Sequence, residues 1–195
     1  MNISESRHDR ALLLDRDGVI NVNHGYVHSK DNFDFIEGIF DLVRTARALG
    51  YRVVVVTNQA GIGRGYYSEA QFHELTAWMC EQFERQGAPI DKVYFSPYHP
   101  TAGIGEYRQD EDTRKPGPGM ILRAHRELGV SLEKSILIGD KPSDIQAGVA
   151  AGVGLNILFS NESPAALEGL RYVPVRTLKD AISCLEGAGT ALALR

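Results

Sequence analysis

The sequence is poor in cysteine and contains no long apolar run, and each shortage excludes a class of protein. The chain of 195 residues has two cysteines, Cys80 and Cys184, which are too few for a disulfide framework and are typical of a reducing compartment. No apolar run approaches the roughly 20 residues that a membrane-spanning helix needs. Residues 1–10 are polar and lack the apolar centre of a secretory signal peptide. We therefore expect a soluble, cytoplasmic protein with no membrane partner.

An excess of positive charge is also absent. The formal net charge is −4, because 25 Asp and Glu residues outnumber 21 Lys and Arg residues. A broad nucleic-acid-binding surface requires the opposite balance, so we predict no nucleic-acid partner. The chain is long enough for one domain with a substantial core. We assign residues 1–188 to a single domain and residues 189–195 to a loose C-terminal tail, and we expect a monomer.

The segments that are present alternate between strand-like and helix-like patterns. Residues 11–14 form a continuous apolar run, and residues 51–56 form a β-branched run that includes Arg52. Such runs are typical of strands buried on both faces of a parallel sheet. Further strands are predicted at 93–95, 135–139, 155–159 and around 172–173, with helices that begin near residues 39, 68, 118, 145 and 177. Ser68 and Gln71 form a capping-box pattern, and the last helix is expected to end at Leu185. This order predicts a three-layer α/β fold with a central parallel sheet.

Polar clusters follow three of these strands. The clusters are Asp15 and Asp17, Thr57 and Asn58, and Asp140 and Asp144. An acidic pair after one strand is often only a solvated turn. In folds of this class, however, ligands bind beyond the carboxyl ends of the strands, and three polar clusters at one sheet edge favour a site.

The residue types in these clusters suit phosphoryl transfer. Carboxylates from separate loops, Asp15, Asp17 and Asp140, make an oxygen site of the kind that Mg²⁺ prefers and uses to bridge to a substrate phosphate. The hydroxyl of Thr57 and the charge of Lys115 suit phosphate oxygens. One carboxylate could attack phosphorus and form an aspartyl-phosphate, and a second could move the protons.

Taken together, these motifs resemble the haloacid dehalogenase (HAD) superfamily of phosphatases. The matching stretches, in order, are Asp15-x-Asp17-Gly, the strand ending in Thr57-Asn58, Lys115 in Arg-Lys-Pro, and Gly139-Asp140-x-x-x-Asp144. The resemblance implies a Rossmann-like fold, Asp15 as nucleophile and Asp17 as general acid and base. It also implies that Thr57 and Lys115 contact the phosphoryl group. The implied magnesium ligands are Asp15, Asp17 through its backbone carbonyl, Asp140 and, directly or through water, Asp144.

Within that superfamily the sequence is most similar to the D-glycero-D-manno-heptose 1,7-bisphosphate phosphatases. The stretches 15–21, 23–28, 57–65 and 114–116 carry this resemblance. It implies removal of one phosphate from the bisphosphate to leave the heptose 1-phosphate, a precursor of surface lipopolysaccharide. The implied substrate contacts are Asn23, His24, Gly25, Tyr26, Thr57, Asn58, Gln59, Ala60, Arg64, Arg114, Lys115 and Lys141. Several of these are basic, which suits a substrate with two phosphates.

The sequence departs from this subgroup in one long loop, residues 96–114. Many members bind structural zinc there through Cys-x-His and Cys-x-Cys pairs, but this chain has Ser96, Tyr98, Glu111 and Thr113 at the corresponding positions. His99 alone cannot complete a tetrahedral site. We therefore predict no zinc.

The connections between the predicted elements are too short for a large cap domain. Specificity would then come from the loops at 21–37, 59–67 and 96–114. An open site of this kind fits a small sugar phosphate.

Three other functions remain open at this point. A histidinol-phosphate phosphatase, or another small-molecule phosphomonoesterase, would use the same chemistry. A phosphorylatable signalling module also pairs acidic loops with a lysine on a parallel sheet, but Asp17 would speed turnover of its aspartyl-phosphate. A binding module without activity is a further alternative, although every residue that the chemistry requires is present.

Overall fold

The computed structural model of the chain describes residues 9–160 and 167–193. Its centre is a parallel sheet of 6 strands in the order β3-β2-β1-β4-β5-β6. The strands are β1 (Arg10–Leu14), β2 (Tyr51–Asn58), β3 (Lys92–Ser96), β4 (Ile136–Gly139), β5 (Leu155–Phe159) and β6 (Val173–Val175). The helices are α1 (Ile39–Ala48), α2 (Ala60–Gly63), α3 (Glu69–Arg85), α4 (Gly119–Leu128), α5 (Pro142–Ala151) and α6 (Leu178–Ala193).

The predicted three-layer arrangement is confirmed by the packing of β1. Leu12 and Leu14 belong to the core beneath α1, α3 and α6, whereas Ala11 and Leu13 belong to the core beneath α4 and α5. All four side chains are fully buried. Successive strand residues point to opposite faces, so a continuous apolar run is what a central strand with helices on both sides requires.

The order of the strands determines where a ligand can bind. From β1 the chain adds β2 and then β3 on one side, and β4 afterwards pairs with the other side of β1. The connections diverge at this point and leave a crevice beyond the carboxyl ends of the central strands. The residues that follow β1, β2 and β4 therefore lie at one edge of the sheet. A 3.0 Å hydrogen bond from Asp15 N–H to the carbonyl of Ile138 joins the end of β1 to β4.

Two helix termini agree with the sequence signals. The side chain of Ser68 caps α3 by accepting from Gln71 N–H, and the Gln71 side chain accepts from Ser68 N–H, so the predicted capping box is confirmed. Gly129 ends α4 in the left-handed conformation, with φ of 67°.

Two other helix boundaries differ from the prediction. Helix α5 begins at Pro142 and not at Ile145, because proline fits the first helical position and the Asp144 carboxylate accepts from Lys141 N–H at 2.9 Å. The last helix continues to Ala193, beyond the predicted end at Leu185. Its glycines resembled a stop, but the alanines and leucines that follow retain helical propensity. Of the predicted loose tail, residues 189–193 are helical, and residues 194–195 lie outside the described part of the chain.

The connection from β1 to α1, residues 15–38, contains the 3-10 turn Lys30–Asn32 and no inserted domain. This agrees with the expected absence of a large cap at that position. Over residues 9–160 and 167–193, the helices are all too short or too polar to cross a membrane.

Candidate active site

A cleft with a volume of about 220 Å³ opens at the carboxyl edge of the sheet. It contains most of the residues that the sequence assigned to a site. The lining residues are Asp15, Asp17, Asn23, Gly25, Tyr26, Asn58, Gln59, Tyr67, Lys115, Lys141, Ser143 and Asp144. The cleft is therefore the candidate active site.

At the base of the cleft, Lys115 joins two carboxylates. Its ammonium group lies 2.9 Å from Asp15 Oδ1 and 2.6 Å from Asp144 Oδ1, and it donates to the carbonyl of Val56 at 2.8 Å. Lys115 is 3% exposed, so its charge is balanced almost entirely by protein groups. All three of its donors already have acceptors. This fixes the Asp15 side chain in a defined position.

The ionisable groups of this pair have shifted pKa values. Burial raises the pKa of Asp15, and the charge of Lys115 opposes that rise. For Lys115, burial opposes the charged form, but the carboxylates of Asp144 and Asp15 outweigh it and raise the pKa of the lysine. Lys115 is therefore a permanent cation beside Asp15.

Asp15, Asp140 and Asp144 form a carboxylate cluster in which one oxygen from each lies within 4.8 Å of the others. Burial, and then the charge of Asp15, raises the pKa of Asp140 to about 7. Asp140 Oδ1 is buried and has no hydrogen-bond partner among the described residues. Such an oxygen fits a divalent cation, because Mg²⁺ and Ca²⁺ prefer carboxylate ligands.

The three members of this cluster are not equally available. Both oxygens of Asp144 already have partners, Lys115 and the N–H of Lys141. The second oxygen of Asp140 lies 3.8 Å from the ammonium group of Lys141, which is exposed at the cleft rim. Asp140 and Asp15 are therefore the better candidates for direct metal ligands, and Asp144 orients Lys115.

Two glycines allow these carboxylates to approach one another. Gly18 has φ of 98°, and a Cβ atom there would lie 2.2 Å from Asp140 Oδ2. A Cβ atom at Gly139 would lie 2.2 Å from Cβ of Asp144. Real Cβ atoms do not come this close to another atom, so both turns require glycine.

The Asp17 carboxylate has a different set of partners. Arg16 Nη2 lies 2.9 Å from both of its oxygens, Asn21 donates to Oδ1 at 3.1 Å and Gln59 donates to Oδ2 at 3.0 Å. Arg16 is 1% exposed and also donates to the carbonyl of Val27. Asp17 thus lines the same cleft as Asp15 and Lys115 but is held by a different set of side chains.

Gln59 connects the second strand to Asp17. Its amide nitrogen donates to Thr57 Oγ1 at 2.9 Å as well as to Asp17, and its amide oxygen accepts from the Tyr67 hydroxyl at 2.6 Å. Burial raises the pKa of Tyr67 to about 12, so its hydroxyl remains protonated and can donate. Thr57 is 1% exposed, so its hydroxyl lies just behind the cleft wall.

The side chain of Asn58 forms two hydrogen bonds with the backbone of Lys115. Its Oδ1 accepts from Lys115 N–H at 3.0 Å and its Nδ2 donates to the Lys115 carbonyl at 2.9 Å. This pair of bonds sets the position from which the Lys115 side chain enters the cleft. Asn58 also lines the cleft, as expected of a substrate contact.

The rim is formed by residues of the loop 21–37. Asn23 Oδ1 accepts from Gly25 N–H at 3.1 Å, and Gly25 and Tyr26 have φ of 79° and 51°. This turn exposes Tyr26 beside the cleft. His24 is instead paired with Asp34 at 2.7 Å and does not line the cleft.

Three further predicted substrate contacts lie outside the cleft lining. Ala60 is the first residue of α2, and Arg64 lies just beyond the end of that helix. The Arg64 guanidinium carbon is 5.7 Å from the centre of the Tyr26 ring, and Arg114 donates to the carbonyl of Tyr98 at 3.1 Å. Both arginines are half-buried next to the rim.

The loop 96–114 is held by hydrogen bonds at the positions where relatives were expected to carry zinc ligands. Thr113 donates to the Ser96 hydroxyl at 3.3 Å, and Glu111 accepts from Arg114 N–H through its carbonyl. Tyr107 donates to Glu69 at 3.1 Å, which ties the loop to α3. The expectation that the chain binds no zinc stays a prediction.

Three residues of the site were not predicted. Arg16 lies inside the first motif. The feature that could have pointed to it is its position between two acidic residues at the end of a buried strand. Tyr67 and Ser143 line the cleft but carry no pattern that separates them from ordinary tyrosines and serines. Their placement follows from the packing of α2 and α5.

Comparison with known proteins identifies close relatives. A protein-family model described as HAD-hydrolase-like matches residues 112–177. The chain is 51% identical over 181 residues to the D-glycero-alpha-D-manno-heptose-1,7-bisphosphate 7-phosphatase of Burkholderia mallei, covering 93% of this chain and 96% of that protein. It is 46% identical over 161 residues to the D-glycero-beta-D-manno-heptose-1,7-bisphosphate 7-phosphatase of Haemophilus influenzae, covering 83% and 87%.

A solved structure agrees with these matches. The crystal structure of D,D-heptose 1,7-bisphosphate phosphatase from B. bronchiseptica, complexed with magnesium and phosphate, matches with a TM-score of 0.78 and 25% sequence identity. The match covers 91% of this chain and 98% of that chain.

Proposed function

The chain belongs to the family of heptose 1,7-bisphosphate 7-phosphatases within the HAD superfamily, and we propose that it removes the 7-phosphate of D-glycero-D-manno-heptose 1,7-bisphosphate. It is a phosphoric monoester hydrolase, and its product would be the heptose 1-phosphate. The observation that carries this proposal is the convergence of Asp15, Asp17 and Lys115 in one cleft with the carboxylate cluster. The reaction is part of lipopolysaccharide precursor synthesis.

In the first chemical step, a carboxylate oxygen of Asp15 attacks the phosphorus of the 7-phosphate. The bond between phosphorus and the sugar oxygen breaks, and Asp17 gives a proton to that oxygen. This assignment is supported by the different surroundings of the two residues. Asp15 is paired with the Lys115 cation. Asp17, two residues further along the chain, accepts hydrogen bonds from Arg16, Asn21 and Gln59.

In the second step, water hydrolyses the aspartyl-phosphate. Asp17 takes a proton from the water, the water oxygen attacks phosphorus, and the Asp15 carboxylate is released with inorganic phosphate. Lys115 would balance negative charge on the transferring group, which is the main requirement of phosphoryl transfer. The Thr57 hydroxyl, held in place by Gln59, would contact a phosphoryl oxygen.

We propose that the cation of this site is Mg²⁺, held by Asp15, Asp140 and the backbone carbonyl of Asp17, with Asp144 nearby. When bound, it would neutralise charge on the phosphoryl group and orient it toward Asp15. The proposal is supported by the partnerless Asp140 Oδ1 and by the magnesium in the B. bronchiseptica structure.

The second phosphate of the substrate would be bound at the rim. Arg64 lies beside Tyr26 and Arg114 interacts electrostatically with both, and an arginine can hold a phosphate through two hydrogen bonds. Asn23, Gly25 and Tyr26 would contact the sugar between the two phosphates. A cytoplasmic location belongs to the same proposal and is supported by the two free cysteines, Cys80 and Cys184.

The test is release of inorganic phosphate from a panel of substrates, with and without Mg²⁺. The panel contains the α and β anomers of the heptose 1,7-bisphosphate, hexose monophosphates and histidinol phosphate. We expect a heptose bisphosphate to give the highest kcat/KM, and phosphorus NMR of the product to show that the 1-phosphate is retained. Higher kcat/KM for histidinol phosphate would support the alternative function. No turnover of any substrate by folded protein would overturn the assignment as a phosphatase.

A further inference from the structure

The hydrogen bonds of His99, in the loop 96–114, determine which of its ring nitrogens carries the proton. The backbone N–H groups of Thr101 and Ala102 donate to its Nδ1 at 3.3 and 3.1 Å. A neutral imidazole has one accepting and one donating nitrogen. Because backbone N–H groups can only donate, Nδ1 is the acceptor and the ring proton is on Nε2.

The Nε2 proton faces another donor. Arg64 Nη2 lies 3.0 Å from His99 Nε2, and a guanidinium group has donors only. Two donors at this distance need an acceptor between or beside them. Arg64 Nε is also buried and has no hydrogen-bond partner within residues 9–160 and 167–193.

Arg114 adds a second cation to the same place. Burial, and then the charges of Arg114 and Arg64, lower the pKa of His99. Burial, and then the charge of Arg64, lower the pKa of Arg114. His99 is therefore neutral at pH 7, as the hydrogen bonds to Nδ1 require. In the described part of the chain, neither arginine takes part in an ion pair with a carboxylate.

We propose that His99 Nε2–H, Arg64 and Arg114 form one anion subsite, and that this subsite binds the phosphate that the enzyme does not cleave. The inference rests on the proposed function and adds His99 to it as a substrate-binding residue. A phosphate oxygen beside Nε2 and Nη2 would accept from both and remove the contact between two donors. The subsite adjoins the cleft through Tyr26, whose ring lies 5.7 Å from the Arg64 guanidinium carbon.

The loop 96–114 would thereby contribute to specificity without zinc. Its backbone fixes His99 on both sides, because His99 N–H donates to the Tyr107 carbonyl at 3.0 Å and the His99 carbonyl accepts from Gly103 N–H at 3.2 Å. Ile104 N–H donates to the carbonyl of Gly63 at 2.8 Å, one residue before Arg64. The loop and α2 thus place His99 and Arg64 against each other.

His99→Asn isolates the proposed donor. The Asn side-chain oxygen can take the place of Nδ1 and accept from Thr101 and Ala102, but nothing remains at the position of Nε2–H. We expect the KM for the heptose 1,7-bisphosphate to rise about tenfold with kcat unchanged, as for loss of one hydrogen bond to a charged group. The KM for the heptose 7-phosphate, which has no second phosphate, should stay at the wild-type value. His73→Asn, an exposed histidine of α3, is the control and should match wild type on both substrates.

The outcomes separate this inference from the proposed function. A wild-type enzyme that is inactive on both heptose phosphates would remove the proposed function. If the wild type is active, an unchanged KM for the bisphosphate in folded His99→Asn would overturn the role of His99. An equal rise in KM for both substrates would overturn it as well, since it would show a general effect on the cleft. A thermal melt of each variant establishes that it is folded.

Discussion

Asp15 and Asp17 are two residues apart, and their side chains are held by different groups, although Arg16 donates its backbone N–H to Asp15 and its guanidinium group to Asp17. Asp15 forms an ion pair with Lys115, a residue that follows the long loop, and Asp17 forms one with its own neighbour Arg16. A carboxylate next to a buried cation is held in one position, which suits a nucleophile. A carboxylate that accepts from several side chains at the cleft wall can exchange a proton without moving far. The proposed difference in role thus corresponds to a difference in partners.

The first prediction concerns Asp15. Asp15→Asn keeps the shape of the side chain but removes the charged oxygen, so we expect kcat to fall by on the order of 10³-fold or more. The protein should remain folded, because Lys115 keeps Asp144 and the Val56 carbonyl as acceptors. Steady-state kinetics and a thermal melt measure the two effects. Asp31→Asn, at an exposed position, is the control, and near wild-type turnover in Asp15→Asn would show that Asp15 is not the nucleophile.

The second prediction concerns Asp140 in metal-free protein. Its pKa is about 7 in the folded chain and 3.8 ordinarily, so folding favours the protonated carboxyl. The contribution of Asp140 to stability therefore decreases as the pH rises from the ordinary pKa toward the folded one. Asp140→Asn removes this cost, and we expect the Tm of the metal-free protein at pH 8 to rise by about 2–6 °C.

Asp140→Asn should also abolish the rise in Tm that Mg²⁺ causes. Saturating Mg²⁺ should raise the Tm of the wild type but not that of Asp140→Asn, since a lost ligand lowers the affinity for the ion. Differential scanning calorimetry in chelator and in Mg²⁺ gives both values. A lower Tm for the metal-free variant than for the wild type at pH 8 would contradict the assignment of Asp140 as a destabilising buried charge.

At the scale of elements, the turn after β1 and the turn after β4 are packed against each other. Gly18 belongs to the first turn and touches Asp140, and Gly139 belongs to the end of β4 and touches Asp144. The two turns approach because Gly18 has no side chain, and the missing side chain of Gly139 lets Asp144 pack against the end of its own strand. Strand β1 and strand β4 are neighbours in the sheet, so this contact also brings Asp15 to the carboxylate cluster.

We predict that Gly18→Ala disrupts this contact. The new Cβ would lie 2.2 Å from Asp140 Oδ2, so the Asp140 side chain must move. We expect the Mg²⁺ concentration for half-maximal activity to rise at least about tenfold, which corresponds to roughly 1.4 kcal/mol of lost binding. A Mg²⁺ titration of initial rates measures this shift.

Gly129→Ala is the matched control for backbone strain. Gly129 also has positive φ, 67°, but an added Cβ there meets nothing within 4 Å. It should lower stability by about 1 kcal/mol and leave the Mg²⁺ dependence unchanged. Equal Mg²⁺ dependence in the two variants would show that strain, and not displacement of Asp140, accounts for the effect of Gly18→Ala.

At the scale of the whole molecule, the long loop is joined to the rest of the protein by hydrogen bonds. Its contacts reach α3 through Tyr107 and Glu69, and α2 through Ile104 and Gly63. Its positions 96 and 113 carry hydroxyls that bond each other. The loop therefore has a network of its own in the place where related proteins were expected to use thiolates.

The corresponding prediction is that the purified protein contains no stoichiometric zinc. Elemental analysis by mass spectrometry should find well below one zinc per chain, and a zinc chelator should leave the Tm of Mg²⁺-saturated protein unchanged. One zinc per chain, retained through dialysis, would show that the loop binds metal with other ligands. Size-exclusion chromatography of the same sample tests the expected monomer.

Much of the fold and the centre of the site follow from the sequence. The apolar runs before Asp15, Thr57 and Asp140 indicated parallel strands with polar ends, and the α/β order placed those ends together. The signals are local, because burial on both faces requires continuous apolar residues and capping requires particular residues such as Ser68. Helix ends were less certain, and the propensity of the residues after Leu185 extends α6 beyond its predicted end.

Other parts of the site depend on the tertiary structure. The pairing of Lys115 with both Asp15 and Asp144, and the placement of His99 against Arg64, join residues from loops that are far apart in the sequence. No local pattern encodes such contacts, since they form only when the strand order and the loop packing bring these side chains together. The sequence by itself determined which chemical groups the protein has at the sheet edge. The tertiary structure decided which of them touch, and therefore which carboxylate is held by a cation, which oxygen is left for a metal ion and which donors are left for a phosphate.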